Sequence, residues 1–121
     1  MRQRCGNRGL EVLGSTYVHG GLHEREEEQL YAAIPEDTDV LVTHTPPYGI
    51  LDRDGSILYG SKELLCRVRV IHPRLHLFGH IHKSHGTTSD GVTVFSNAAI
   101  LDEGYDNLNA PNVLSLTVLA D

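Results

Sequence analysis

Two short apolar runs, each followed by a turn that carries histidine, constrain the fold of this chain more than any other feature. Residues 39–43 (DVLVT) lead into His44 and a Pro-Pro pair, and residues 75–78 (LHLF) lead into the segment Gly-His-Ile-His at 79–82. Short continuous apolar runs bounded by turn signals are typical of buried strands. The Pro-Pro pair in the turn after residues 39–43 cannot continue a helix and cannot donate N–H hydrogen bonds to a β-ladder. The sequence therefore predicts two buried strands, each ending at a histidine.

Helical patterns alternate with these strands. Acidic residues open one predicted helix, from Glu24 to Ile34, and Ser61 is placed to cap another that runs to about Ile71 with apolar side chains on one face. Further strands are predicted next to turn signals, at Arg2 to Cys5, Leu10 to Leu13, Thr87 to Thr88, Val92 to Phe95 and Val113 to Leu119. This alternation predicts one α/β layered domain over residues 1–121.

Histidine is the over-used residue, since the chain has eight and five of them lie between His72 and His85. In layered α/β sheets ligands bind beyond the carboxyl ends of the strands. If the two strands are neighbours, the imidazoles of His44, His80 and His82 converge at one rim as candidate metal ligands. His80 and His82 are two apart in an extended turn, which favours binding to two different ions. His76, inside an apolar strand, is expected to be a hydrogen-bonded core residue.

Charge and composition exclude several classes of partner. A net charge of −6 disfavours long-range attraction to a nucleic-acid polymer or an anionic membrane. The apolar stretches are far shorter than the ~20 residues that cross a bilayer. Cys5 and Cys66 lack a metal or disulfide spacing and are interpreted as reduced thiols, which indicates a cytoplasmic protein.

The two histidine motifs, together with residues 88–98 and 34–39, resemble the calcineurin-like metallophosphoesterases, in particular the metallophosphoesterase-domain-containing branch. The resemblance implies a four-layer α/β/β/α sandwich, of which this chain supplies the C-terminal half as a mixed sheet with helices on one face. It also implies hydrolysis of a phosphomonoester or phosphodiester, with cyclic nucleotides among the candidates. By this analogy His44 and His80 bind the second of two ions and His82 binds the first. Imidazole with carboxylate suits manganese, iron or zinc alike.

The first three motif blocks of that family have no counterpart in these residues. The bridging aspartate and the histidine that assists the leaving group belong to those blocks, and Asp52 and Asp54 have no motif that would replace them. The 121-residue chain alone is therefore expected to hold at most one ion weakly and to be inactive. Apolar side chains of Val40, Val42, Leu75 and Leu77 are expected to lack a covering layer, which predicts self-association or a partner that carries the missing half.

Two other interpretations remain open. The chain could be a non-catalytic metal- or nucleotide-binding relative, or a structural fragment of a partial gene. Turnover with manganese separates the enzyme from both, and metal affinity without turnover favours the binding module. Tyr48 and Tyr59 could stack on a nucleotide base, although an aromatic side chain in a loop is more often simply packed.

Overall fold

The computed structural model of the protein describes residues 2–5, 10–14, 24–101 and 108–117. The strands of this part, β1 to β8 in chain order, are Arg2–Cys5, Leu10–Gly14, Val40–Val42, Arg53–Asp54, Ile57–Leu58, Leu75–Phe78, Gly86–Ser89 and Val94–Asn97. The helices are α1, Glu24–Ala32, and α2, Lys62–Ile71, and a single 3₁₀ turn spans His82–Ser84. Within the described ranges, neither helix is long and apolar enough to cross a membrane.

Six of the strands form one mixed sheet in the order β1-β2-β3-β6-β8-β7. The inner strands β2, β3, β6 and β8 are parallel, and the outer strands β1 and β7 are antiparallel to their neighbours. The two strands that precede the histidine turns are direct neighbours, with Val40 opposite Leu75 and Val42 opposite Leu77. Both predicted strands form, and because they are parallel neighbours, the condition for convergence of the histidines is met: both turns leave the sheet at the same rim.

Both helices pack on one face of the sheet. Strand residues Leu41, Phe78 and Phe95 point to this face. They share one buried cluster with side chains of the two helices and of Ile34, which follows α1: Tyr31, Ile34, Leu64, Val68 and Ile71. The predicted cap of α2 is confirmed, because the Ser61 hydroxyl accepts a hydrogen bond from the backbone N–H of Leu64 at 3.1 Å. The predicted α/β fold, a mixed sheet with helices on one face, is confirmed.

The opposite face of the sheet is partly covered by residues 108–117. Ser96 points to this face because it follows the core residue Phe95, yet it is only 2% exposed. The amide of Asn112 donates to the Ser96 hydroxyl at 2.8 Å, and the guanidinium of Arg74 donates to the carbonyl of Thr117. Side chains of the sheet and of this segment therefore hold the C-terminal segment in place.

Two expectations about this face are wrong. The strand predicted at Val113 to Leu119 does not form over residues 113–117, because none of the described strands lies beside it to complete a ladder; residues 118 and 119 lie outside the described residues. The apolar face is also less exposed than expected. Val42 is 36% exposed, but Leu75 and Leu77 are half-buried and Val40 is buried at 8%.

Candidate metal centre

The imidazoles of His44 and His80 meet at the carboxyl rim of the sheet. His44 follows β3 and His80 follows β6, and the backbone N–H of Gly79 donates to the carbonyl of His44 at 3.2 Å. The two ring centroids lie 4.8 Å apart with the ring planes tilted by 40°. Both residues are exposed, so the pair lies at the surface of the protein and within reach of solvent. The expected convergence of the imidazoles at one rim is thereby confirmed for His44 and His80.

A tight turn presents His80. The backbone N–H of Ile81 donates to the carbonyl of Gly79 at 2.9 Å, which closes a three-residue γ-turn centred on His80. His80 accordingly has φ of 73°, a left-handed conformation that few non-glycine residues adopt. Such backbone strain costs on the order of 1–3 kcal/mol and is found mostly where the surrounding structure enforces it. The turn brings the imidazole of His80 towards that of His44.

Asn97 supports the turn from inside the sheet. It is the last residue of β8, opposite Phe78 at the end of β6, and its side chain is fully buried. Its amide nitrogen donates to the carbonyl of Ile81 at 2.8 Å and to the carbonyl of Leu51 at 3.0 Å. The residue that separates His80 from the next histidine is therefore tied to the end of a neighbouring strand.

His82 opens the 3₁₀ turn and is half-buried. A small hairpin formed by β4 and β5 braces this turn, because the Ser84 hydroxyl donates to the carbonyl of Arg53 at 2.6 Å and Lys83 forms an ion pair with Asp54 at 2.9 Å. The described ranges contain no group of three or more His, Cys, Asp or Glu side chains arranged to hold a metal ion. His82 thus does not complete a three-ligand site with His44 and His80, and its role as a ligand stays a prediction.

The loop after the Pro-Pro pair is organised by Asp52. Its carboxylate is buried and accepts hydrogen bonds from the backbone N–H groups of Gly49 and Gly60, both at 2.8 Å. Gly60 has no room for a side chain, since a Cβ there would lie 2.4 Å from the carbonyl oxygen of Pro47. Asp52 therefore fixes the loop that follows His44.

His76 is a core residue, as predicted. It is fully buried on β6, and its ring lies 5.0 Å from that of Phe78 and 5.8 Å from that of Phe95. The hydroxyl of Thr43 donates to the carbonyl of Thr45 at 2.7 Å, so its oxygen is left to accept from Nε2 of His76 at 3.0 Å. This arrangement assigns the proton to Nε2 and leaves Nδ1 buried without a partner. Desolvation by burial lowers the pKa of His76 to about 3.

The two tyrosines differ in their surroundings. The ammonium of Lys62 lies 5.0 Å from the ring centroid of Tyr48 and forms a cation–π contact with that ring. Tyr59, beyond the β4–β5 hairpin, is 44% exposed. Of the two aromatic rings considered for nucleotide stacking, Tyr59 is the more accessible.

The sequence interpretation gave no role to Asn97. A usable signal was present, because Asn97 lies at the carboxyl end of β8, the neighbour of β6, and the histidine turns also follow the carboxyl ends of their strands. The hairpin at residues 53–58 carries a turn signal, Gly55-Ser56, but each of its strands has only two residues, too few to form a recognisable strand pattern.

A family model for the calcineurin-like phosphoesterases matches residues 5–84, a range that includes His44, His80 and His82. The chain therefore belongs to the calcineurin-like phosphoesterase family. This membership confirms the resemblance that the histidine motifs indicated.

Among its relatives is metallophosphoesterase domain-containing protein 1 of Homo sapiens, 44% identical over 86 residues that cover 69% of this chain and 26% of that protein. The UPF0046 protein K07C11.7 of Caenorhabditis elegans is 41% identical over 111 residues, or 87% of this chain and 38% of its own length. The chain thus spans less than half the length of these relatives. One solved crystal structure superposes on 80% of this chain and 44% of its own with a TM-score of 0.53 at 21% identity, which supports the fold.

Proposed function

We propose that this chain forms the histidine-bearing part of a metal-dependent phosphoesterase site that hydrolyses a phosphomonoester or phosphodiester. The observation that supports the proposal is the His44–His80 pair, with ring centroids 4.8 Å apart at the rim of the sheet in a member of this family. Two exposed imidazoles fit a divalent manganese, iron or zinc ion, for which neutral imidazole is a good ligand. In this proposal His44 and His80 hold one ion and His82 contributes to a second.

Each residue has a defined part. Bound divalent ions supply a water of lowered pKa and neutralise charge on the phosphate oxygens. His44 and His80 offer imidazole rings, and the Pro-Pro turn holds His44 with little further loss of entropy. The γ-turn at His80 and the braced 3₁₀ turn at His82 orient the other two rings. Tyr59 is an exposed aromatic side chain that a small phosphoester or nucleotide substrate could contact.

The site needs groups that this chain does not contain. The described residues bring two imidazoles together without a third ligand, and the 121 residues contain neither an Asp-x-His nor a Gly-Asn-His motif. We therefore propose that the 121 residues alone hold at most one ion weakly, and that a partner carrying the missing half supplies the remaining ligands. The exposed free thiol of Cys66 suits a cytoplasmic location, which is part of the proposal.

Metal binding tests the proposal directly. Isothermal titration of the chain with Mn²⁺ should give a weak single site whose affinity falls roughly tenfold or more in His44→Ala or His80→Ala, since even outer-shell changes can have that effect. His72→Ala removes another exposed histidine, at the end of α2, and should bind Mn²⁺ like the parent chain. Equal Mn²⁺ affinity in all the variants would show that the pair does not bind the metal.

A second candidate function is a metal-binding module without catalysis. The same two-ligand geometry favours it, because a site without a third ligand binds an ion more readily than it assembles two. Mn²⁺ binding that depends on His44, with no phosphoester turnover even when the partner that carries the other ligands is added, would support this module over the enzyme.

A further inference from the structure

The side chain of Asn97 connects the two loops that carry the histidines. Its two amide hydrogens go to the carbonyl of Ile81 at 2.8 Å and to the carbonyl of Leu51 at 3.0 Å, and its own oxygen accepts from the N–H of Ala99 at 3.1 Å. A side-chain amide has two donor hydrogens, so both donors are used. Leu51 belongs to the loop that follows His44. One buried side chain therefore contacts both loops.

The position of Asn97 is itself fixed. The backbone N–H of the next residue, Ala98, donates to the carbonyl of Phe78 at 2.8 Å, which extends the pairing of β6 and β8 beyond their ends. From the other face, the amide of Asn112 donates to the carbonyl of Asn97 at 2.9 Å. The backbone of Asn97 is hydrogen-bonded on both sides and the residue is 0% exposed. Asn97 is therefore a fixed support for the turn that it contacts.

The turn needs such support. His80 lies at the centre of a γ-turn with φ of 73°, a conformation that the chain does not favour without constraint. The carbonyl of Ile81, which Asn97 binds, belongs to the residue whose N–H closes this γ-turn. Loss of the hydrogen bond from Asn97 would free the peptide between Ile81 and His82, next to the γ-turn, and the ring of His80 could then move away from that of His44.

We propose that Asn97 is a positioning residue of this site: through the carbonyl of Ile81 it holds the γ-turn that keeps His80 against His44, and it thereby sets the affinity of the pair for a divalent metal ion. This inference rests on the proposed function, because the pair is the metal site proposed there. It assigns to Asn97 no direct contact with the metal.

Three variants separate positioning from general stability. Asn97→Asp has the same shape and keeps an acceptor for Ala99, but it presents an oxygen in place of both donors. Asn97→Ser is neutral and too short to reach both carbonyls, which covers the case in which the buried aspartate prevents folding. Asn109→Asp is the matched control, because the Asn109 amide also donates to two carbonyls, those of Ala99 at 2.9 Å and Leu101 at 3.1 Å, outside the histidine turns.

Two measurements on the folded variants are needed. Titration with Co²⁺, followed by its visible absorption, should give a dissociation constant about 10–100-fold higher in the Asn97 variants, which is the range known for outer-shell residues. In Asn109→Asp, the dissociation constant should stay within about twofold of the parent value. Without metal, hydrogen exchange at the Ile81 amide should be at least roughly tenfold faster in the Asn97 variants alone, because the γ-turn is then released.

The outcomes distinguish the two proposals. Faster Ile81 exchange together with weaker Co²⁺ binding, confined to the Asn97 variants, supports the positioning role. Unchanged exchange at Ile81, or an equal loss of Co²⁺ affinity in Asn109→Asp, overturns it. Co²⁺ binding by the parent chain that is insensitive to His44→Ala overturns the proposed metal site and the affinity claim for Asn97 with it. In that case, the metal-free exchange at Ile81 still decides whether Asn97 holds the turn.

Discussion

Acid should destabilise this protein through His76, and the size of the effect follows from its surroundings. The ring is fully buried against Phe78 and Phe95, and its one polar partner is the hydroxyl of Thr43. A protonated ring would carry a charge into the core with an unpartnered Nδ1–H. Burial accordingly lowers the pKa of His76 from 6.5 to about 3. The folded chain keeps this ring neutral at pH values where the unfolded chain protonates it.

The sign and the magnitude follow from proton linkage. Above about pH 6.5 the ring is neutral in both states, so it contributes no pH dependence. Between about pH 6.5 and 3 the unfolded state binds one more proton than the folded state, and the free energy of unfolding falls as the pH falls. The slope approaches about 1.4 kcal/mol per pH unit, or about 3 kcal/mol at two units below 6.5. Against a typical total of about 5–15 kcal/mol this is a large loss.

The test compares the parent chain with His76→Leu by urea denaturation, followed by far-ultraviolet circular dichroism, at several pH values from about 7.5 to 4.5. Leu is similar in size and does not titrate, so the variant should lose about 1 kcal/mol near neutral pH with the hydrogen bond to Thr43. Its stability should then fall about 3 kcal/mol less than that of the parent across this range. His85→Gln, which removes a histidine that is not fully buried, should behave like the parent. Identical pH profiles for the parent and His76→Leu would refute the reasoning.

Three further outcomes are expected. The 121-residue chain alone should not hydrolyse an aryl phosphodiester in excess Mn²⁺, because loss of general-acid help by itself typically lowers the rate by about 10²–10⁴-fold; robust turnover that disappears in His80→Ala would contradict this. Gly60→Ala should lower the free energy of unfolding by about 1–3 kcal/mol or more in urea, since its Cβ would lie 2.4 Å from the carbonyl oxygen of Pro47. Gly79→Ala is the control, because its Cβ would meet nothing nearer than Ala99 at 3.9 Å, and an equal loss in the two would refute the steric argument. Light scattering should detect self-association through the sheet face that bears Val42, and a monodisperse monomer at high concentration would count against it.

The main strands and the second helix could be predicted because local signals and tertiary packing agree there. Strand β6 has the predicted bounds, Leu75–Phe78, and the predicted cap of α2 at Ser61 is present. A run of β-branched and apolar residues can bury both of its faces only inside a covered sheet, and the serine satisfies an N–H that the helix leaves free. The core position of His76 was predictable for the same reason, since its place in an apolar strand directs it inward.

The C-terminal segment shows where a local signal fails. Residues 113–117 alternate between exposed and half-buried positions as a strand does, yet no described strand pairs with them. Alternating burial indicates that one side of an extended segment packs against apolar surface. A strand also needs a neighbouring backbone whose N–H and C=O groups can pair with its own. That neighbour is a property of the assembled fold.

At the candidate metal centre, the sequence by itself determined which side chains lie at the rim, because the turns that follow parallel strands lie at the carboxyl edge of the sheet. It did not determine how closely those side chains approach each other. The 4.8 Å between the rings of His44 and His80 depends on the parallel pairing of β3 with β6, on the γ-turn and on the hydrogen bond from Asn97. These contacts join residues far apart in the chain, and only the tertiary structure brings them together.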